Sequence, residues 1–385
     1  MARRTTEARC AAVAGRRRAW ARSEARRAAK VGAVSLWFPR RSRPGLNLAL
    51  QGGGSHGAFT WGVLDALLEA DAFEWPLASG ASAGALNASL LACGLAQERE
   101  GAPRGTARQV LRGFWEQLAR QAQPGWMAGG SAVAPKLSAM AQWALSWTHW
   151  VSPAQFNPLD HNPLRELLVA HIDFALLRRA TPLRLLIAAT RADSGRLRLF
   201  HEHELTLDML LASACLPMLH HPVMLDGQAY WDGGYAANPP LRALLESPHA
   251  APDTLIVPLS PRARPAVPKL APEIRHRLAE LAFNAPFVAE LAWLDEQQRA
   301  LGWPVIGRLE RRIARARWHV VDGAAVLAPL AGETRLIAQP DFVDHLHRLG
   351  RHCAQQWLRE QADQVGRRST AALGELLKAP PEPAA

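Results

Sequence analysis

Gly52-Gly53-Gly54-Ser55-His56-Gly57 and Gly80-Ala81-Ser82-Ala83-Gly84 are the two stretches of this 385-residue chain that decide its fold. Each follows a short apolar segment that predicts a buried strand, and each precedes a segment whose apolar residues predict a helix. The predicted bounds are strands at residues 46–50 and 73–79 and helices at residues 58–70 and 83–95. The order strand, glycine turn, helix therefore occurs twice, which predicts an α/β fold.

Ser82 is a candidate catalytic nucleophile, because it stands in a Gly-x-Ser-x-Gly pattern between a predicted strand and a predicted helix. A serine hydroxyl is a weak nucleophile and needs exposure on a tight turn beside a base. The flanking Gly80 and Gly84 permit a sharp turn and leave room for a substrate carbonyl. Glycines 52–54, with Gly57, can aim backbone N–H groups at a developing oxyanion, because glycine adopts conformations closed to other residues.

Asp232 is the candidate base. It ends a short predicted strand at residues 229–231, and Gly233 and Gly234 follow it, so its carboxylate can be presented at a sheet edge. Asp226-Gly227, six residues earlier, predicts the turn of a hairpin. From the residues alone, a structural and a catalytic role for Asp232 are equally open.

The first glycine turn also fits a different class of protein. Gly52, Gly54 and Gly57 match the Gly-x-Gly-x-x-Gly pattern of dinucleotide-binding folds. That pattern needs an acidic residue at the end of the second strand, where this chain has Gly80-Ala81-Ser82. The sequence therefore favours the oxyanion interpretation over a dinucleotide site.

A Ser-Asp-His triad of the α/β-hydrolase type is an alternative within the same enzyme class. The histidines that follow Asp232 stand in no recognisable loop signature, so each is expected at the surface. They are His249, His276, His319, His345, His347 and His352. His220 and His221, which precede Asp232, are expected to line a pocket or to fill a partly polar core.

Four sequence blocks together resemble the patatin-like phospholipase family, over residues 45 to 260. They are the glycine turn at 52–57, residues 80–84 with Ala85-Leu86-Asn87, Ala212-Ser213-Ala214-Cys215-Leu216-Pro217, and Asp232-Gly233-Gly234 with Asn238-Pro239. The resemblance implies a three-layer α/β/α fold with a mostly parallel central sheet. It also implies a Ser82–Asp232 dyad without histidine, which hydrolyses acyl esters of phospholipids or lysophospholipids through an acyl-serine intermediate and needs no cofactor.

The chain departs from the family pattern at two positions. His56 stands where the family often has Arg or Lys, so a local positive charge would depend on pH. Ala81 replaces a frequent Thr beside the nucleophile, which removes a hydroxyl without altering the turn. A catalytically silent lipid-binding protein of the same fold is the alternative from another class.

The charge of the chain is concentrated at its start. The first 43 residues hold 13 Lys and Arg against two Glu, a charge of +11 that equals the net charge of the whole chain. The other residues are balanced, so the charge gives no reason to expect specific nucleic-acid binding by them. We predict a poorly ordered basic arm at 1–44, a catalytic α/β domain at 45–260, and a mainly helical extension at 261–385 packed on the core.

Apolar runs, cysteine spacing and potential metal ligands indicate where the protein is expected to act. No run of about 18 apolar residues is present, which favours a cytoplasmic protein, with contact to membranes at most peripheral. The cysteines show no Cys-x-x-Cys spacing and predict free thiols: Cys10, Cys93, Cys215 and Cys353. No metal site is expected, since His201-Glu202-His203-Glu204 is more typical of solvated surface.

Five tryptophans lie between the candidate nucleophile and the candidate base: Trp115, Trp126, Trp143, Trp147 and Trp150. Aromatic rings with a polar edge favour membrane interfaces, so this segment is a candidate lid or lipid-docking face. Inward packing of a helical insertion is the alternative.

Further along, residues 183–190 and 197–200 predict strands, and residues 254–259 are a candidate for the last strand of the core sheet. Residues 273–300 and 342–362 predict long helices on either side of a strand-like segment at 318–321.

Overall fold

A mixed sheet of eight strands forms the centre of the computed structural model, which describes residues 43–121, 128–147, 150–262, 267–302, 305–330 and 332–378. A separate two-stranded hairpin, β3 and β4, lies outside that sheet. The strands are β1 (Leu46–Leu50), β2 (Leu77–Gly80), β3 (Ala128–Ser131), β4 (Ala134–Leu137), β5 (Arg184–Arg191), β6 (Leu197–Phe200), β7 (Val223–Leu225), β8 (Gln228–Asp232), β9 (Asp253–Val257) and β10 (Arg317–Val320).

The helices surround this sheet. They are α1 (Gly57–Ala70), α2 (Ala83–Arg99), α3 (Thr106–Gln121), α4 (Ala139–Trp147), α5 (Pro153–Phe156), α6 (Pro163–His171), α7 (Phe174–Ala180), α8 (Leu207–Ser213), α9 (Leu241–Glu246), α10 (Ala271–Ala300), α11 (Arg308–Arg315), α12 (Gly323–Leu327), α13 (Pro340–Gln361) and α14 (Leu373–Leu377). Short 3₁₀ turns occupy residues 54–56, 233–235, 332–336 and 362–364.

The sheet order is β10-β9-β1-β2-β5-β8-β7, and β6 also pairs with β5. The first five of these strands are parallel. β6 and β8 run antiparallel to β5, and β7 runs antiparallel to β8. Alternate residues of a strand point to opposite sides of the sheet. Both faces here carry apolar side chains, and helices cover both of them. Leu46, Leu48 and Leu50 enter one apolar cluster and Ala49 enters the other. The predicted three-layer α/β/α fold with a mostly parallel sheet is thus confirmed.

The glycine turns begin at the carboxyl ends of two adjacent strands, β1 and β2. Their helices follow as predicted, α1 after the first turn and α2 after the second. The predicted strand at 73–79 is shorter than expected, because only residues 77–80 pair with β1 and β5. The prediction that residues 254–259 end the sheet is wrong, since β10 pairs in parallel with β9 and lies beyond it.

Helices α1 and α13 pack with their backbones in contact. A Cβ atom on Gly62 would lie 2.1 Å from the His347 carbonyl oxygen, so only glycine permits this approach. Beside it, the buried Asp65 carboxylate accepts hydrogen bonds from Arg108 at 2.5 Å, from His347 at 3.2 Å and from Arg351. This ion cluster joins α1 and α13 to α3.

Three of the predicted free thiols, Cys93, Cys215 and Cys353, are free in the structure, and Cys10 lies outside the described residues with the rest of the basic arm. No described helix is both long enough and apolar enough to cross a lipid bilayer.

Candidate active site

Strand register places Ser82 and Asp232 at the same level of the sheet. Gly80 of β2 pairs with Ile187 of β5, and Asp232 of β8 pairs with Ala189, two residues further along β5. Ser82 also lies two residues beyond Gly80. The two side chains therefore meet at the carboxyl edge of the parallel strands, although 150 residues of chain separate them.

Ser82 occupies a strained turn. Its backbone has φ 52° and ψ −129°, a region that residues with a Cβ atom rarely adopt, and such strain costs about 1–3 kcal/mol. The glycines around it allow the turn to pack closely: a Cβ on Gly84 would lie 2.1 Å from the Leu50 carbonyl oxygen. The serine stands directly before α2, and only 7% of it is exposed. This is the geometry of a nucleophile elbow.

Asp232 is fully buried, and only one of its two carboxylate oxygens accepts a hydrogen bond from the described residues. Its Oδ1 accepts a hydrogen bond from the Gly234 N–H at 2.8 Å, whereas Oδ2 accepts none from the described residues. Burial raises the pKa of this carboxyl to about 7, although the Gly234 N–H and the nearby Ser82 hydroxyl both lower it. The hydroxyl thus lies close to the carboxyl group without reaching full hydrogen-bond geometry, and catalytic hydrogen bonds are often loose before substrate binds.

The end of α8 and the residues that follow it connect the two candidate catalytic groups. The Ser82 N–H donates to the Ser213 carbonyl oxygen at 3.0 Å, and the Asp232 N–H donates to the Cys215 carbonyl oxygen at 2.8 Å. The Thr190 hydroxyl donates to the Asp232 carbonyl oxygen at 2.8 Å. Sequence reasoning quoted Ser213 and Cys215 within a motif but gave them no role; both fix the backbones that carry the dyad candidates.

The glycine turn offers two unoccupied donors. The Gly52 N–H donates to Asn238 Oδ1 at 2.7 Å and is therefore not available to a substrate oxygen. The N–H groups of Gly53 and Gly54 donate to no described residue. Gly57 donates within the 3₁₀ turn. Of the four glycines expected to form an oxyanion hole, Gly53 and Gly54 alone thus present open N–H groups.

A buried amide network holds this turn in place. Gln51 Oε1 accepts hydrogen bonds from the backbone N–H groups of Leu259 and Ser260, at 2.6 and 2.8 Å. Its amide nitrogen donates to Asn284 Oδ1 at 3.0 Å and to the Asn238 carbonyl oxygen at 3.3 Å. Asn284 belongs to α10, so the C-terminal part of the chain contributes to the site, a contact that no local motif predicts.

His56 is neutral around pH 7, and the positive charge at the turn belongs to another residue. Burial, together with the positive charge of Arg335, lowers the pKa of His56 to about 3. The Arg335 carbonyl oxygen also packs on Gly54, where an added Cβ would lie 2.3 Å away. The predicted pH-dependent charge at His56 is therefore wrong around neutral pH, because the ring is buried and already lies near a cation.

The alternative triad finds no histidine in the described site. Two of the histidines expected at the surface, His319 and His347, are buried instead. His319 hydrogen-bonds Asp253 at 3.0 Å and His347 hydrogen-bonds Asp65 at 3.2 Å, so each belongs to a structural ion cluster. Among the described residues, none of the histidine contacts involves Asp232.

Both candidate catalytic side chains are buried, with Ser82 7% and Asp232 0% exposed. A cavity of about 270 Å³ lies beside them, and its lining includes Cys215, His220, His221 and Asp160, but neither Ser82 nor Asp232. The two histidines thus line a pocket, as one of the two expectations had it. Burial raises the pKa of the Cys215 thiol to about 12, so this thiol stays protonated. No group of three or more potential metal ligands occurs among the described residues.

The tryptophans between the two candidate catalytic residues differ in burial. Trp115 is buried and its indole N–H donates to Asn87 Oδ1 at 2.9 Å, which fits inward packing. Trp143 and Trp150 are 62% and 85% exposed. Trp126 and the side chain of Trp147 lie outside the described residues.

The fold and the site together define an α/β/α protein that carries a serine on a strained strand-to-helix turn beside a buried aspartate. Residues 48–245, just over half of the chain, match the family described as patatin-like phospholipase. The chain belongs to this family of lipid acyl hydrolases.

Two further comparisons accompany this match. None of the curated proteins compared with the chain matches it. Among solved structures, VipD from Legionella pneumophila is similar, with 14% sequence identity and a TM-score of 0.34, over 80% of this chain and 67% of that chain.

Proposed function

We propose that this chain hydrolyses fatty acyl esters of phospholipids or lysophospholipids, with Ser82 as nucleophile and Asp232 as base. The observation that carries the proposal is the juxtaposition of a strained serine and a buried aspartate whose Oδ2 has no hydrogen-bond donor among the described residues. The backbone conformation of this serine costs free energy, and such strained residues cluster at active sites. The carboxylate oxygen without a donor beside it is positioned to take a proton.

The proposed reaction has two steps. Asp232 accepts the proton of the Ser82 hydroxyl while the oxygen attacks the ester carbonyl, and the proton then passes to the leaving alcohol. Water attacks the acyl-serine next and loses a proton to Asp232, which returns that proton to the Ser82 oxygen as the bond to the acyl group breaks and the fatty acid is released. A carboxyl pKa of about 7 suits this alternation near neutral pH, because a base is most effective when its pKa lies near the working pH.

The proposed oxyanion hole consists of the N–H groups of Gly53 and Gly54. Such donors contribute roughly 2.7–4 kcal/mol each when aimed at the oxyanion. Gly52 has another part: a Cβ there would lie 2.7 Å from Ser82 Cβ, so glycine leaves the space that the nucleophile fills. Gly80 and Gly84 shape the elbow, and Gly233 and Gly234 follow the base closely.

The C-terminal segment 261–385 is proposed as a support of this site. Asn284 holds Gln51, and Arg335 packs on the glycine turn. The catalytic part at 45–260 therefore depends on contacts that the rest of the chain supplies.

A fluorophosphonate probe tests the proposal. We expect labelling at Ser82, mapped by mass spectrometry, that disappears in Ser82→Ala and slows strongly in Asp232→Asn. Asp226→Asn is the matched control, since Asp226 is exposed on the neighbouring hairpin turn and should leave labelling unchanged. A folded wild-type protein that is not labelled would support the silent lipid-binding alternative. If Ser82 is labelled, assays of fatty acid release from phospholipids and from lysophospholipids would identify the substrate.

A further inference from the structure

The first half of α10 exposes an apolar stripe. Leu270, directly before the helix, and Ile274, Leu278 and Leu281 within it recur at helical spacing. They are 63%, 41%, 60% and 45% exposed. The second half of the helix is different: Phe287, Leu291 and Leu294 are fully buried in the core. Pro286 lies between the two halves.

The stripe ends beside the candidate site. Phe283, two residues beyond Leu281, contacts the Tyr235 ring at 5.4 Å, and its own ring fills the space where Gly234 would carry a Cβ. Asn284 then joins the amide network of the glycine turn. A surface that bound to the stripe would therefore be adjacent to the dyad.

The charges around the stripe are basic. Arg262 and Arg277 are neutralised in ion pairs with Asp322 and Glu280. Lys269 and Arg275 then stand against one further acid, Glu273. The Glu273 carboxylate accepts hydrogen bonds from the backbone N–H groups of Lys269 and Leu270 at the start of the helix. Lys269 and Arg275 are exposed, so cations accompany the apolar side chains.

We propose that the start of α10 together with the four residues before it, residues 267–281, which we call the docking helix, binds the surface of an anionic phospholipid bilayer. An apolar helix stripe flanked by lysine and arginine inserts at the boundary of headgroups and acyl chains and is attracted by anionic lipid. The inference deepens the proposed function, because the same surface would present the substrate. It assigns membrane contact to α10 rather than to the tryptophan-rich segment.

The test measures binding to vesicles in a Ser82→Ala background, so that it does not depend on hydrolysis. Vesicles of phosphatidylcholine with phosphatidylglycerol are compared with vesicles of phosphatidylcholine alone by co-sedimentation. We expect binding to the anionic vesicles that weakens with salt. Ile274→Ser with Leu278→Ser should reduce the partition coefficient about tenfold or more, through lost apolar burial.

The matched control removes two apolar side chains of equal exposure elsewhere. Val169→Ser with Val326→Ser changes residues that are 61% and 38% exposed, and it should leave binding unchanged. For the charges, Lys269→Gln with Arg275→Gln should weaken binding to anionic vesicles, whereas Arg196→Gln with Arg311→Gln, at exposed sites outside the docking helix, should have a smaller effect.

Three results would overturn the inference. The first is equal binding to vesicles with and without phosphatidylglycerol, and the second is equal loss in the matched control. The third is a wild-type dimer in solution that Ile274→Ser with Leu278→Ser converts to a monomer, which would make the stripe a contact between copies. Failure of the proposed function would appear separately, as absent fluorophosphonate labelling in a protein that still binds vesicles.

A second readout separates docking from damage to the site. Hydrolysis of a short, water-soluble ester by the Ile274→Ser, Leu278→Ser variant should equal that of the protein with Ser82 and an intact stripe. Hydrolysis of vesicular phospholipid should fall with binding. An equal fall in both reactions would contradict docking.

Discussion

Asp65 and Asp232 are both buried carboxylates, but their surroundings shift their pKa values in opposite directions. Burial alone would raise the pKa of Asp65, but hydrogen bonds from His347, Arg108 and Arg351 outweigh it and hold that pKa well below its usual value. Asp232 has one backbone donor and a nearby hydroxyl, so burial prevails and the pKa rises to about 7. Partners rather than depth thus decide whether a buried carboxylate is a structural anion or a potential base.

The largest expected effect comes from removing the Asp232 carboxylate, which has no ion-pair partner among the described residues. Asp232→Asn should lower kcat/KM for a soluble ester by about 10⁴-fold or more, because no proton acceptor remains beside Ser82. The same variant should be more stable than wild type at pH 8. A raised folded-state pKa favours the protonated carboxyl, and that contribution is lost as pH rises through about 7.

Kinetics with a soluble ester and thermal unfolding at pH 8 check both parts of this prediction. A variant that loses activity and also unfolds more readily at pH 8 would place Asp232 with Asp65 as a structural anion, and the contrast between them would fail.

Removing the Asp65 carboxylate should have the opposite effect, a loss of stability without a loss of activity. Asp65→Asn should reduce the free energy of unfolding by about 3 kcal/mol, because Arg108 and Arg351 lose their shared anion. These arginines are partly exposed, at 31% and 21%, which keeps the loss at the low end for a buried pair. Activity per folded molecule should not change. Urea unfolding and titration with the fluorophosphonate probe measure the two quantities.

Glu69→Gln is the control for that experiment. Glu69 contacts the same two arginines but is 47% exposed, so its substitution should cost less than about 1 kcal/mol. An equal loss in both variants would mean that burial adds nothing to the Asp65 cluster.

A smaller effect is expected from the proposed oxyanion turn. Gly54 has φ +58°, and an added Cβ would lie 2.3 Å from the Arg335 carbonyl oxygen, so Gly54→Ala must shift the turn and its donors. We expect kcat/KM to fall about 10²-fold. Gly195→Ala imposes similar strain, at φ +66°, in a turn with no atom within 4 Å, and should leave kcat/KM unchanged. Equal losses in both variants would show that backbone strain alone explains the effect.

The last prediction concerns the effect of pH on the wild-type enzyme. Because the base must be ionised, kcat/KM should rise about tenfold per pH unit below the Asp232 pKa of about 7 and level off above it. His56, with a pKa of about 3, stays neutral over this range. A profile measured on a soluble ester between about pH 5 and pH 9 tests this. A flat profile would argue that Asp232 is not the base.

The local pattern predicted most of the elements. The strands and helices around both glycine turns, the hairpin at Asp226-Gly227 and the long C-terminal helices were predicted within a few residues. They follow from hydrophobic period and turn chemistry, which act over short distances. The position of β10 was missed, because the pairing of one short strand with β9 depends on contacts across the whole chain.

The sequence by itself determined the fold class, the two glycine turns and the candidate nucleophile, because spacing and residue type carry that information. It left the role of Asp232 open until the resemblance to a family indicated a base. The tertiary structure alone decided which donors of the glycine turn are open, that Arg335 supplies the cation near His56, and that Gln51, Asn238 and Asn284 hold the turn. It also decided that the pKa values of Asp65 and Asp232 shift in opposite directions. Such properties arise from desolvation and from partners brought together by folding, and neither is written in any local stretch of the chain.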